Sequence, residues 1–105
     1  SGGQKSRVTL GRALYKPHQI LILDDVLSAV DHKTEDTLIQ QLRQFTSQKT
    51  VIMISHRLSA LVQCDHIIML EKGIISDQGT HQHLLTQNKT YASTWRYQKM
   101  IEDTP

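Results

Sequence analysis

The sequence predicts an α/β fold, a mainly parallel sheet layered between helices, and two observations carry that reading. Apolar runs of four residues, Ile20 to Leu23, Val51 to Ile54 and Ile67 to Leu70, alternate with stretches of helical periodicity. The connections between them are short, which favours right-handed crossovers and a sheet covered by helices.

Taken in order, Gln4 to Tyr15 reads as a helix with Leu10, Ala13 and Leu14 on one face, ended by Lys16 and Pro17. Its basic residues Lys5, Arg7, Arg12 and Lys16 form either a solvated face or a contact for nucleotide or a partner. Ile20 to Leu23 is a continuous apolar run ending in Asp24-Asp25, the pattern of a central strand buried on both faces. Asp31 can cap a helix running to about Phe45, with Glu35 and Asp36 near its positive end and Leu38, Leu42 and Phe45 on one face. Thr50 to Ile54 repeats the strand pattern and ends in Ser55-His56; a short helix over Leu58 to Val62 and a third strand over His66 to Leu70 follow. Glu71-Lys72-Gly73 predicts a turn into a hairpin strand, Ile74 to Gln78. Gly79-Thr80 breaks the strand and caps a helix from His81 to Gln87, and a last helix runs from Thr90 to Met100.

With 105 residues the chain is one compact domain or part of one. Hydrophobic residues at 38%, charged at 21% and aromatic at 5% exclude disorder, collagen and coiled-coil arrays. A net charge of +2, from 12 basic against 10 acidic residues, is too small to argue for nucleic acid or an anionic membrane, and no nucleic-acid partner is expected. The single cysteine, Cys64, can form no internal disulfide and reads as a packing residue in a reducing compartment. Its apolar runs fall far short of the ~20 residues that cross a bilayer. Ser1-Gly2-Gly3-Gln4 opens the chain with neither an initiator Met nor a signal-peptide pattern, so a piece of a longer chain is expected.

Three features carry chemistry. Ser1-Gly2-Gly3-Gln4 sets two glycines and a hydroxyl before a helix, which makes either an anion site of bare N–H groups or a capped turn. Asp24-Asp25 at a strand end can hold one carboxylate near Mg²⁺ and another near the nucleophile of phosphoryl transfer, or can simply cap the next helix. His56 ends the following strand, at the sheet edge where ligands bind in open α/β folds. His18, His32, His66, His81 and His83 show no metal-ligand spacing and read as surface or packing residues. Tyr91, Trp95 and Tyr97 read as packing for the last helix.

In order and spacing these residues resemble ATP-binding cassette ATPases of the exporter type. Ser1 to Gln4 matches the signature motif without its leading Leu, Ile20 to Asp24 matches Walker B, Ser28-Ala29-Val30-Asp31 the D-loop, and Ser55-His56-Arg57 the switch-histidine loop. Lys72-Gly73-Ile74 and Gly79-Thr80-His81 also look like exporter cassettes, and the resemblance thins after about Asn88. It implies the C-terminal half of a P-loop NTPase-like, three-layer nucleotide-binding domain. Residues 1–16 would be the signature and its helix, 17–87 the rest of the ATPase core and 88–105 a C-terminal helix and tail.

The resemblance further implies ATP and Mg²⁺ as cofactors, with Asp24 holding Mg²⁺ through water, Asp25 at the catalytic base position and His56 on the γ-phosphate. Ser1, Gly2, Gly3 and Gln4 would meet ATP held by a second nucleotide-binding domain packed head to tail, with Ser28 and Asp31 at that interface. A transmembrane domain would be the other partner, placing the chain at the cytoplasmic face of the cell membrane. Two departures stand out. Asp25 replaces the family's usual Glu, as in the slow site of heterodimeric exporters, and no Gly-x-x-x-x-Gly-Lys-Ser/Thr cradle occurs. The leading expectation is therefore the coupling ATPase of a transporter, inactive as an isolated piece. The alternatives are a DNA-repair, chromosome-maintenance or translation ATPase of the same family, a noncatalytic dimerising fragment, and a metal-dependent phosphohydrolase built on Asp24, Asp25 and His56.

Overall fold

A computed structural model describes Gln4 and residues 20–102, apart from the side chain of Phe45. The expected helix over 4–15, with Lys5, Arg7 and Arg12, lies outside the described residues save for Gln4, which is helical and exposed. Ser1, Gly2, Gly3, Lys16 and His18 lie outside them as well. The chain divides into two compact units, Ser1–His56 and Arg57–Pro105.

In the first unit, β1 (Ile20–Asp24) and β2 (Thr50–Ile54) pair in parallel from Ile20↔Thr50 to Asp24↔Ile54. The crossover between them is α1 (His32–Thr46). Asp31 caps it as its sequence position predicts, its Oδ1 accepting the Thr34 N–H at 2.7 Å. Leu21, Leu23, Leu27, Val30, Leu38 and Leu42 form the core of this unit, each 7% exposed or less. Each such side chain removed from water contributes about 2 kcal/mol.

The second unit opens with a single 3₁₀ turn, Leu58–Ala60. Then β3 (Ile67–Glu71) and β4 (Ile74–Gly79) pair antiparallel across a two-residue turn. Both turn residues, Lys72 at φ 53° and Gly73 at φ 76°, are left-handed, the combination that matches the right-handed twist of a hairpin. Gly79 closes β4 at φ 154°, and a Cβ there would lie 2.7 Å from His83 Cδ2. Thr80 caps α2 (His81–Gln87), its Oγ1 accepting the His83 N–H at 3.1 Å.

The last helix is α3 (Lys89–Glu102). Asn88 joins three elements: its N–H donates to the Leu84 carbonyl of α2 at 2.9 Å, its Nδ2 donates to Asp77 Oδ2 on β4 at 2.9 Å, and its Oδ1 accepts the Tyr91 N–H of α3 at 2.8 Å. Tyr91, buried with Leu84 in this unit's core, shares a 2.8 Å hydrogen bond between its hydroxyl and His81 Nδ1. The His81 ring also meets Trp95 edge-on, 4.6 Å between centroids, and Lys99 Nζ lies 5.2 Å from the Trp95 ring. Cys64 is half-buried, and burial pushes its thiol up, assisted by Asp65.

Four expectations need correction. β1 is not buried on both faces: Leu21 and Leu23 point inward, but Ile20 and Ile22 are 59% and 61% exposed. The third strand, expected in a parallel sheet, pairs antiparallel with β4 within the second unit. In the link from β2 to β3 a single 3₁₀ turn, Leu58–Ala60, stands in place of the expected helix over Leu58 to Val62. Tyr97, expected to pack, is 61% exposed.

The second unit should weaken on acidification. Burial lowers the His81 pKa below its ordinary 6.5, so below about that pH the unfolded chain takes up a proton that the folded chain refuses. Asp77 is lowered from 3.8, first by the Asn88 amide and then by the Gln78 N–H, and it withdraws its contribution at lower pH still. Denaturant midpoints read from Trp95 fluorescence are expected to fall between about pH 7 and pH 5, and His81→Gln to flatten that fall. An unchanged slope in His81→Gln would assign the acid sensitivity to another group.

Candidate functional site

Asp24 pairs in register with Ile54, so the C-terminal ends of β1 and β2 lie side by side. One step further the Asp25 N–H donates to the Ile54 carbonyl at 2.8 Å. The acidic tip of one strand is thereby tied to the residue that leads into Ser55 and His56 on the other. Asp24, Asp25 and His56 are exposed and Ser55 is half-buried. Of the residues singled out in the sequence, these are the ones the fold brings to a common strand edge, where α/β sheets present groups to ligands.

Asp25 has φ 56°, a left-handed conformation that among non-glycine residues favours Asn and Asp. It turns the chain out of the strand. The Asp25 carbonyl then accepts from the Ser28 N–H at 3.4 Å and the Ser28 hydroxyl at 3.1 Å. In the turn that follows, Leu27 and Val30 are buried while Ser28, Ala29 and Asp31 are exposed. Two expected interface residues are thus also local structural groups, Ser28 as a turn hydroxyl and Asp31 as the α1 cap.

One buried residue escaped the sequence reading. Glu35, expected only as an acid near a helix start, is 0% exposed. It heads the inward stripe of α1, three residues before Leu38 and seven before Leu42. That spacing was the available signal. Its Oε2 lies 3.5 Å from His32 Nδ1. Taking a carboxylate out of water costs several kcal/mol unless charge and hydrogen bonds compensate it.

Chemically, the strand edge offers hard oxygen ligands and an imidazole. An exposed carboxylate such as Asp24 suits Mg²⁺, which takes one or two protein carboxylates and fills its shell with water and phosphate oxygens. Among the described residues no three His, Cys, Asp or Glu side chains gather into a site that could hold a metal alone. Among them, too, no helix is long and apolar enough to cross a membrane.

No protein-family model matches the chain. It is 44% identical over its whole length to the multidrug resistance-like ATP-binding protein MdlA of Escherichia coli, covering 18% of that protein. It is 45% identical, over 96% of the chain and 17% of the relative, to a probable multidrug resistance ABC transporter ATP-binding/permease protein, YheI, of Bacillus subtilis. ABC transporter B family member 24, a mitochondrial protein of Arabidopsis thaliana, is 45% identical over 93% of the chain and 14% of its own length. The solved structure of a bacterial Atm1-family ABC exporter with ATP bound superposes with a TM-score of 0.87 at 39% identity, over 94% of this chain and 18% of that one.

The chain is a homologue of ATP-binding cassette proteins. More narrowly, it is similar to multidrug resistance-like ATP-binding proteins, to an ABC transporter ATP-binding/permease protein and, in structure, to an ABC exporter, and it spans less than a fifth of the length of each.

Proposed function

We propose that the chain supplies the C-terminal half of the ATPase domain of an ATP-binding cassette exporter, coupling ATP hydrolysis to transmembrane transport at the cytoplasmic face of a membrane. The observation that carries the reading is the hydrogen bond from Asp25 to Ile54, which sets the acid-tipped strand beside the strand leading to His56, in a chain that superposes on part of an ABC exporter at 39% identity. Asp24 would hold Mg²⁺ through water, and Mg²⁺ bound with nucleotide neutralises charge on the phosphates. Asp25 accepts a hydrogen bond from the attacking water, and His56 donates one to a γ-phosphate oxygen. Ser28 and Asp31 face the second cassette. Residues 1–16, 17–87 and 88–105 divide the work as signature helix, catalytic core and tail.

Two cassettes would pack head to tail, Ser1, Gly2, Gly3 and Gln4 of this chain completing the site on its partner. Because Asp25 is shorter than Glu, the site this chain owns is the slow one and the site it completes is the fast one. Exporter relatives favour transport over the DNA-repair and translation readings. The test compares the isolated 105-residue chain with the complete exporter assembly. The chain alone is expected to show no ATP turnover above background, because it lacks a phosphate cradle. In the assembly, Gly3→Asp sets a carboxylate against the partner's ATP and should lower turnover on the order of 100-fold. ATP hydrolysis by the purified chain, or full activity of Gly3→Asp, would overturn the proposal.

A further inference from the structure

The 3₁₀ turn Leu58–Ala60 begins without a cap of its own. The first N–H groups of a helical turn have no partners within it. Arg57, the residue before this turn, carries only donors and contributes no side-chain bond to its start. The Leu58 N–H is instead taken up by Gln98 Oε1 on α3 at 2.9 Å, forty positions along the chain. Both residues belong to the second unit.

Gln98 stands seven residues after buried Tyr91 and three after half-buried Trp95, on the packed stripe of α3. A polar side chain on such a stripe needs partners for its amide, and its oxygen finds one in a backbone N–H that the turn leaves open. Downstream the turn is closed by its own backbone: the Ala60 N–H donates to the Arg57 carbonyl at 3.1 Å, Leu61 to Leu58 at 2.9 Å and Cys64 to Leu61 at 3.0 Å. Ala60 and Leu61 are buried. The turn is thus a braced piece, and Gln98 holds its leading end. That end comes two residues after His56. Only the torsions of Arg57, which is extended at φ -97° and ψ 105°, and the ψ of His56 separate the held N–H from the His56 Cα.

We infer that Gln98 is a positioning residue: it caps the 3₁₀ turn from α3 and so fixes the point at which the chain leaving His56 enters the second unit. A residue of the stretch 88–105, expected only as a helix and tail, thereby acts on the histidine loop. The cap does not depend on what His56 does; its effect on turnover rests on the role proposed for His56.

The experiment follows single-residue hydrogen–deuterium exchange, and ATP turnover with the partner's site silenced, in the complete exporter assembly. Gln98→Met keeps the length and helix propensity and removes the acceptor, whereas Gln98→Glu keeps an oxygen in its place. Gln98→Met is expected to speed exchange of the Leu58 amide roughly tenfold, leaving the Ala92 amide of α3, bonded to the Asn88 carbonyl, unchanged. Gln98→Glu should restore slow exchange. At this chain's site kcat should fall roughly tenfold in Gln98→Met at constant KM for ATP, recover in Gln98→Glu, and fall no further when Gln98→Met is added to His56→Ala. Unchanged exchange at Leu58, equal speeding at Ala92, or fast exchange in both Gln98 variants overturns the inference. So does a kcat that Gln98→Met leaves alone while His56→Ala lowers it, or an additive loss in the double variant, since either separates Gln98 from His56. Normal turnover in His56→Ala, with the Leu58 amide fast in Gln98→Met, upholds the cap and sinks the role proposed for His56 instead. Should Gln98→Met fail to fold, Gln98→Lys keeps the stem without an acceptor, and the same amides decide.

Discussion

Replacing Asp25 by Glu in the exporter assembly is expected to raise ATP turnover at this chain's own site on the order of 100-fold, when the partner's site is silenced. The lengthening moves the carboxylate outward by about 1 Å, the scale on which misplacement costs two orders of magnitude. The structure adds a cost on a different axis. Asp25 sits at φ 56°, and a Glu there loses the short side chain that makes this conformation tolerable, at about 1 kcal/mol. The variant should therefore be faster and less stable at once, its melting temperature a few degrees lower. Single-site turnover and a thermal melt separate the two, and turnover equal to the parent's would refute the assignment of Asp25 to the base position.

The largest expected effect on stability falls on Tyr91. Its ring is 2% exposed and its hydroxyl bonds His81 Nδ1 at 2.8 Å. Tyr91→Ala should cost about 3–5 kcal/mol, a large share of a total that is rarely above ~15 kcal/mol. Tyr91→Phe keeps the ring and should cost about 1–3 kcal/mol, by leaving the His81 nitrogen without the hydroxyl. Trp95, the only tryptophan and 4.6 Å from the His81 ring, reports both transitions by its fluorescence in urea. Equal midpoints for the two variants would show that the hydrogen bond, not the ring, dominates.

What the sequence showed and what it hid divide along a physical line. Asp31 and Thr80 were legible as caps because capping involves only the next three residues and a side-chain oxygen. The Lys72-Gly73 turn was legible for the same local reason. The strand edge bearing Asp24 and His56 was readable from two apolar runs ending in polar residues, since parallel strands bring like ends together. Burial was not readable, because it depends on what else covers a face: Ile20 and Ile22 look identical to Leu21 and Leu23 in hydropathy yet stay exposed. The partner of β3 follows from the tight turn after it, which brings Ile74 back onto Glu71. Glu35 was hidden by its charge, although its spacing to Leu38 and Leu42 announced an inward position.

The two sheets also differ in how far the chain must travel to make them. Glu71 meets Ile74 three positions away, whereas Ile20 must find Thr50 thirty positions away. By loop-closure entropy alone the second pairing is dearer by about 2 kcal/mol, so the hairpin can zip within microseconds while the parallel pair awaits its helix. During folding, the strand ends that carry the acids and the imidazole are therefore expected to be joined late, after the hairpin has formed.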